Sequence, residues 1–194
     1  MKIYILRHED RTEDCTFFSP LSELGLNNAK KLSEILKKNN INMIFSSPFI
    51  RTLQTINPYI KETNQIVNLE YGLSEIHHPS IIPPKSVGIT LPQYLAKQYN
   101  YNPNYISLIK PNEIKYPENK KECENRMRKI IKNIIEQNYK TDNNILIVTH
   151  QTLCTTMLKV INKFGKLSDQ IPMEYQKGKL SLIFDNGWTF KKLN

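Results

Sequence analysis

Two apolar runs in this sequence end in histidine. Lys2-Ile3-Tyr4-Ile5-Leu6-Arg7 leads to His8, and Ile145-Leu146-Ile147-Val148-Thr149 leads to His150. Short continuous apolar runs of this kind read as strands buried on both faces. In open α/β sheets, ligands bind beyond the carboxyl ends of the strands, so neighbouring parallel strands would set the two imidazoles side by side at one rim. Arginine is scarce, with 5 residues against 22 lysines. Three of the five fall near this rim: Arg7 and Arg11 flank His8, and Arg51 follows Ser47-Pro48 at a helix start, which itself attracts anions. A guanidinium grips phosphate through two parallel bonds, which an ammonium does not do. Two histidines and three arginines at one rim describe a pocket for a phosphoryl group.

The elements that must position these residues alternate along the chain. Ser22 caps a helix over 23–38, where Leu26, Ala29, Leu32, Ile35 and Leu36 recur at helical spacing and Asn39-Asn40 stop it. Residues 42–47 make a second strand. Ser47-Pro48 then reads as a cap followed by Pro at the first helical position, with Ile50, Leu53, Ile56 and Ile60 on the buried face. Pro58 is expected to kink that helix or end it early. A third strand covers 65–70. Residues 77–118 hold seven of the eleven prolines and five of the ten tyrosines, which predicts a loop-rich insertion over a site, with one short helix near 91–98.

An amphipathic helix follows over 119–138 through Cys123, Met127, Ile130, Ile131, Ile134 and Ile135, with Glu118, Glu122 and Glu124 near its start where the dipole favours acids. A helix over 151–163 has Gly165 placed for its C-cap, and 180–185 with 188–193 form a hairpin around Asn186-Gly187. The pattern predicts an α/β fold: a three-layer αβα sandwich, with helices on both faces of a mostly parallel central sheet. The expected organisation is a single domain over 1–194.

Composition narrows the classes. The 194 residues are 39% hydrophobic and 23% charged, as in folded globular chains. No run approaches the ~20 apolar residues of a membrane span, and charge interrupts the first apolar stretch too early for a signal peptide. Cys15, Cys123 and Cys154 are far apart and make no CxxC, so reduced thiols in the cytoplasm are expected. The net charge of +9 is spread as scattered lysines, which favours a solvated basic surface over a nucleic-acid groove. His77-His78 are adjacent, point apart and lack a carboxylate at ligand spacing, so they are expected to be loop histidines and no metal is expected. Cys15 and Cys154 are expected to be small apolar filler. Tyr94, Tyr99, Tyr101, Tyr105 and Tyr116 suit either an aromatic-selective pocket or ordinary packing.

Leu6-Arg7-His8 resembles the Arg-His-Gly motif of the histidine phosphatase superfamily, which has the phosphoglycerate-mutase-like fold. Ser46-Ser47-Pro48 through Arg51, Gln54 and Thr55 resembles its second motif, Val148-Thr149-His150 its second histidine, and Leu21 to Gly25 its helix entry. A narrower resemblance is to the branch of suppressor-of-T-cell-receptor-signalling and ecdysteroid-phosphate phosphatases. There Arg7-His8-Glu9-Asp10-Arg11 keeps the second Arg four residues after the first, and Gly72-Leu73-Ser74-Glu75 is similar to the segment that supplies an acid.

The resemblance implies a histidine acid-type phosphatase hydrolysing a phosphomonoester through a phosphohistidine on His8. Arg7, Arg11, Arg51 and a protonated His150 would hold the phosphoryl oxygens, and Glu75 would be the general acid, with no cofactor. The implied partner is a small phosphorylated substrate or a phosphoprotein, with homodimer formation open. Two positions depart from the family: Glu9 and Gln151 stand where it has glycine, and Glu9 is expected to point away from the site. The alternatives are phosphoglycerate mutase-type transfer and a catalytically impaired phosphate-binding pseudoenzyme.

Overall fold

In the computed structural model, which describes residues 1–164, 174–185 and 188–194, the chain runs through β1 (Lys2–Arg7), α1 (Glu23–Lys37), β2 (Met43–Ser46), α2 (Ile50–Thr63) and β3 (Val67–Leu69). It continues through α3 (Gln93–Ala96), α4 (Lys120–Asn138), β4 (Asn144–Thr149), α5 (Gln151–Phe164), β5 (Leu180–Asp185) and β6 (Trp188–Lys192). The six strands lie in the order β3-β2-β4-β1-β5-β6. The first four are parallel, β5 pairs antiparallel with β1, and β6 antiparallel with β5.

Alternate side chains of the two central strands serve opposite faces. Ile3, Ile5, Ile145 and Ile147 pack toward α4 and α5 with Met127, Ile131 and Met157. Tyr4, Leu6, Leu146 and Val148 pack toward α1 and α2 with Leu32, Leu36, Leu53 and Ile56. Burial on both faces is why these strands read as unbroken apolar runs, and each such side chain contributes roughly 1.5–3 kcal/mol. The architecture is the expected three-layer sandwich. Among the described residues no helix is long and apolar enough to cross a membrane.

Several boundaries differ from the sequence reading, each for a physical reason. Ser22 caps α1 as expected, its Oγ accepting from Gly25 N at 3.1 Å. Ser47 does not cap α2, which starts at Ile50 with Phe49 before it and no side-chain cap. Pro58 lies inside α2, yet the helix continues to Thr63. Burial of Ile56, Tyr59 and Ile60 outweighs the ~3 kcal/mol an interior Pro costs a helix. The short helix of the insertion spans only Gln93–Ala96, followed by a 3₁₀ turn at Lys97–Tyr99.

One buried acceptor gathers the later part of the insertion. Glu70 takes hydrogen bonds from Gly72 N, Leu108 N and Ser107 Oγ at 2.8 Å and from Tyr105 Oη at 2.7 Å. Tyr99 and Tyr105 are used in packing while Tyr94 is exposed, and none of the five tyrosines lines the cavity described below. Gly165 and the Asn186-Gly187 turn lie outside the described residues.

Candidate active site

The register of β1 on β4 places Arg7 opposite Thr149, so His8 and His150 leave the sheet together. His8 N donates to Thr149 O at 3.0 Å, and the ring centroids are 5.2 Å apart at 65°. His8 Nδ1 is 2.7 Å from the Glu9 carbonyl oxygen. A carbonyl only accepts, so Nδ1 carries the proton and the Nε2 lone pair is left for reaction. Burial first, and the Arg51 charge second, hold this imidazole well below its ordinary pKa of 6.5. His8 is therefore neutral near pH 7.

His150 is fully buried. Its Nε2 is 2.8 Å from Ser47 Oγ, which is where the expected cap residue is committed. Its Nδ1 has no hydrogen-bond partner among the described residues and lies 3.9 Å from Glu75 Oε2. Burial first, and the Arg51 charge second, push its pKa well below 6.5. This describes the free pocket, whereas the expected protonated His150 belongs to the phosphate-bound state. A buried ring facing guanidinium charges sheds its proton.

The three arginines converge as the sequence suggested. Arg51, from the first turn of α2, is buried, donates to Thr16 O at 2.8 Å and lies over the Phe49 ring at 4.6 Å. Burial lowers it to about 10, which leaves it charged at pH 7. Arg7 donates to Tyr175 O at 2.6 Å, and Arg11 donates to Thr12 O at 2.5 Å and to Cys15 Sγ at 2.6 Å. Each fork has five N–H donors, so these few bonds orient it without exhausting it. Arg7, His8, Arg11, Arg51, Glu75 and Gln151 line one cavity of about 470 Å³, which Ser80 and Ile81 of the insertion also wall. Cys15 lines it too, contrary to the expected apolar filler, because Arg11 needs an acceptor there. Cys154 is buried, and burial raises its thiol well above 9.0.

Glu75 is 7% exposed, and burial raises its pKa above 4.5. Its Oε1 accepts from Ile76 N at 2.9 Å. The loop that carries it is held by groups that sequence reasoning missed. Arg126 donates from one nitrogen to Gly72 O at 2.7 Å and Ser74 O at 2.8 Å. Its other two nitrogens clasp Glu118 at 2.8 and 2.6 Å. Glu118 also accepts from His77 N at 3.1 Å. Glu118, just before α4, is therefore the buried anchor of this loop. Glu122 fills the helix-start role in a reciprocal cap with Asn119, while Glu124 pairs with Lys163.

The glycine departures resolve geometrically. Glu9 does not line the cavity; its carboxylate lies against Gly178 and accepts from Asn28 at 3.4 Å. A Cβ on Gly178 would fall 1.8 Å from Glu9 Oε1, and Gly178 has φ +65°. The bulk at position 9 is matched by the missing side chain at 178. Glu9 N donates to Thr55 Oγ1 at 3.0 Å, and Gln54 Oε1 accepts from Leu21 N at 2.7 Å, so the helix residues after Arg51 position both entry loops. Gln151 opens α5 at the cavity edge. Among the described residues no group of three or more His, Cys, Asp or Glu gathers at metal-holding distance.

Comparison with known proteins gives the fold a family. The profile of the histidine phosphatase superfamily (branch 1) matches residues 18–194. The structure of ecdysone phosphate phosphatase from Bombix mori, in complex with tungstate, is similar with a TM-score of 0.76 and 14% identity over 98% of this chain and 91% of that one. Mycobacterial glucosyl-3-phosphoglycerate phosphatase in complex with VO3 is similar at 0.67 and 15% identity, over 98% and 96%. YhfR from Bacillus stearothermophilus follows at 0.66 and 18% identity, over 98% and 94%. Comparison with curated protein sequences gives no match. The profile covers most of the chain and the same fold spans nearly all of it, so the chain belongs to the histidine phosphatase superfamily, branch 1.

Proposed function

We propose that residues 1–194 act as a single catalytic domain that hydrolyses phosphomonoesters through a phosphohistidine on His8. The observation that carries this reading is the His8 Nδ1 to Glu9 carbonyl contact, which aims an unprotonated Nε2 into a cavity walled by three guanidiniums. His8 Nε2 attacks phosphorus while the bond to the leaving oxygen breaks. Glu75 gives its proton to that oxygen, the role for which a buried, raised carboxyl is suited. Water then attacks the phosphohistidine, the resulting Glu75 carboxylate takes its proton, and His8 and phosphate are released.

Arg7, Arg11 and Arg51 offset charge on the equatorial oxygens. Such positioned donors are worth roughly 10²–10³ in rate each. His150, neutral in the free pocket, gains a proton when a phosphate dianion arrives, because the anion reverses the local field. Tungstate and VO3 in the similar structures are oxyanions of the kind such a pocket holds. The substrate is a small phosphorylated molecule or a phosphoprotein, and the half-buried free thiol of Cys15 suits a reducing, cytoplasmic setting. Mutase-type transfer is the lesser reading: among the described residues the lysines nearest the cavity are Lys177 on its wall and Lys120 in the adjoining compartment, and neither is joined by a further arginine that would fork a carboxylate.

The test is release of phosphate from p-nitrophenyl phosphate across pH 4–8, with chelator present, for wild type and His8→Ala. Chelator-resistant turnover and an acid-labile phosphoenzyme, both lost in His8→Ala, are expected. Turnover retained in the variant overturns the nucleophile, and no turnover from folded wild type overturns the hydrolase.

A further inference from the structure

A second cavity, of about 590 Å³, adjoins the phosphate cavity. The two share Ser80, Ile81 and Thr152 as walls, so they are compartments of one cleft. The apolar side chains of the second are Ile76, Ile81 and Pro117. Several of its polar groups are already engaged within the protein. His78 Nδ1 is 2.7 Å from Ser80 Oγ, Glu118 is clasped by Arg126, and Asn119 Oδ1 accepts from Glu122 N at 3.0 Å. Lys120 stands at the cavity wall with Thr152, and the rest of what faces a ligand is mostly hydrocarbon. Ile81 is 39% exposed, a large apolar side chain left open at the seam between the compartments.

Glu75 stands at that seam. It lines the phosphate cavity, and the next residue, Ile76, lines the second one. A general acid must reach the leaving oxygen, so the group attached to that oxygen extends past Glu75 and into the neighbouring compartment. The geometry points to a leaving-group chamber for an apolar alcohol: the substrate is a phosphomonoester whose alcohol carries a hydrocarbon body of several carbons. A short acid would have Lys120 as its partner there and would leave Ile76, Ile81 and Pro117 uncovered. The inference rests on the reading of the first cavity as the phosphoryl site, and it does not require turnover.

Ethyl-, butyl- and hexylphosphonate separate the two readings, because they bind a phosphoryl site, cannot be hydrolysed and differ only in hydrocarbon length. Their Kd values are measured by titration calorimetry on the full chain. Affinity is expected to rise by up to ~4-fold per methylene, as for burial of a CH₂ group, and at least about tenfold from ethyl to hexyl. Ile81→Asn is expected to flatten the series and Ile81→Leu to keep it. The hexyl-to-ethyl ratio is internal to each protein, so a change in folded fraction does not affect it.

Equal Kd values across the wild-type series overturn the chamber and leave the phosphoryl site standing. Tighter binding of 3-phosphonopropionate than of butylphosphonate also overturns it, in favour of an acid substrate. Absence of binding by ethylphosphonate and by inorganic phosphate overturns the phosphoryl site, and the chamber with it.

Discussion

Arg126→Met tests whether the Glu75 loop is held as described. The side chain is buried, clasps Glu118 through two nitrogens and supports the carbonyls of Gly72 and Ser74. Removing one partner of a buried pair leaves an uncompensated charge, and such losses run to about 3–5 kcal/mol. For a chain of 194 residues each kcal/mol shifts Tm by ~2–4 °C, so a drop of roughly 6–20 °C is expected. Urea unfolding at pH 7 gives the free energy directly. Glu118→Gln added to Arg126→Met removes the orphaned charge, so the double variant should be more stable than the sum of the singles by at least about 1 kcal/mol. The kinetic signature follows from position. With Gly72 and Ser74 released, Glu75 is misplaced, and kcat should fall more for alkyl phosphates than for p-nitrophenyl phosphate, which needs little protonation of its leaving group. A loss below about 1 kcal/mol, additive singles, or equal kinetic losses on both substrates would refute this account.

Three further outcomes are expected. Arg51→Lys should lower kcat/KM on p-nitrophenyl phosphate by roughly 10²–10³, because a point charge cannot replace the fork; a near-wild-type value removes Arg51 from the pocket. Glu75→Gln should abolish the alkaline fall in kcat for alkyl phosphates. The folded protein holds the Glu75 proton above 4.5, so wild-type stability falls as pH rises from 4.5 through that raised value. The variant should therefore gain stability relative to wild type between pH 4 and pH 7 in thermal melts, and parallel curves would contradict the buried acid. Glu9→Gly should leave kcat/KM essentially unchanged, while Gly178→Ala should destabilise and be partly rescued by Glu9→Gly. Independent effects in that cycle would break the match between positions 9 and 178.

The rim was legible because each part carries a local signal. Apolar runs ending in His8 and His150, and arginine where lysine is the default cation, are visible without knowing the fold. The supports were not. Ser47 looks like a helix cap and instead bonds His150, 103 residues away. Glu118 looks like an acid placed for a helix dipole and also clasps Arg126, and the pair then reaches Gly72 and Ser74. These are side-chain contacts across long separations, and they leave no periodicity to read. Pro58 misled for a related reason, since propensity is local while the burial of Tyr59 and Ile60 that sustains α2 is tertiary. The protonation of His150 depends on desolvation, which no spacing encodes.

The position of β1 has a consequence for how the molecule is made. It is the first strand, yet Leu6 pairs with Val148 on one side and with Leu180 on the other. His8 itself is fixed through its N–H to Thr149 and through its carbonyl to the N–H of Gly178. Every backbone partner of the candidate nucleophile is thus supplied more than 130 residues downstream. Contacts so distant along the chain demand large loop closures before they return any stabilisation, and they slow folding. A nascent chain that has already exposed His8, all three arginines and Glu75 still has no site until residues 178–185 arrive. Closing the sheet on both sides of β1 is therefore also what assembles the candidate rim.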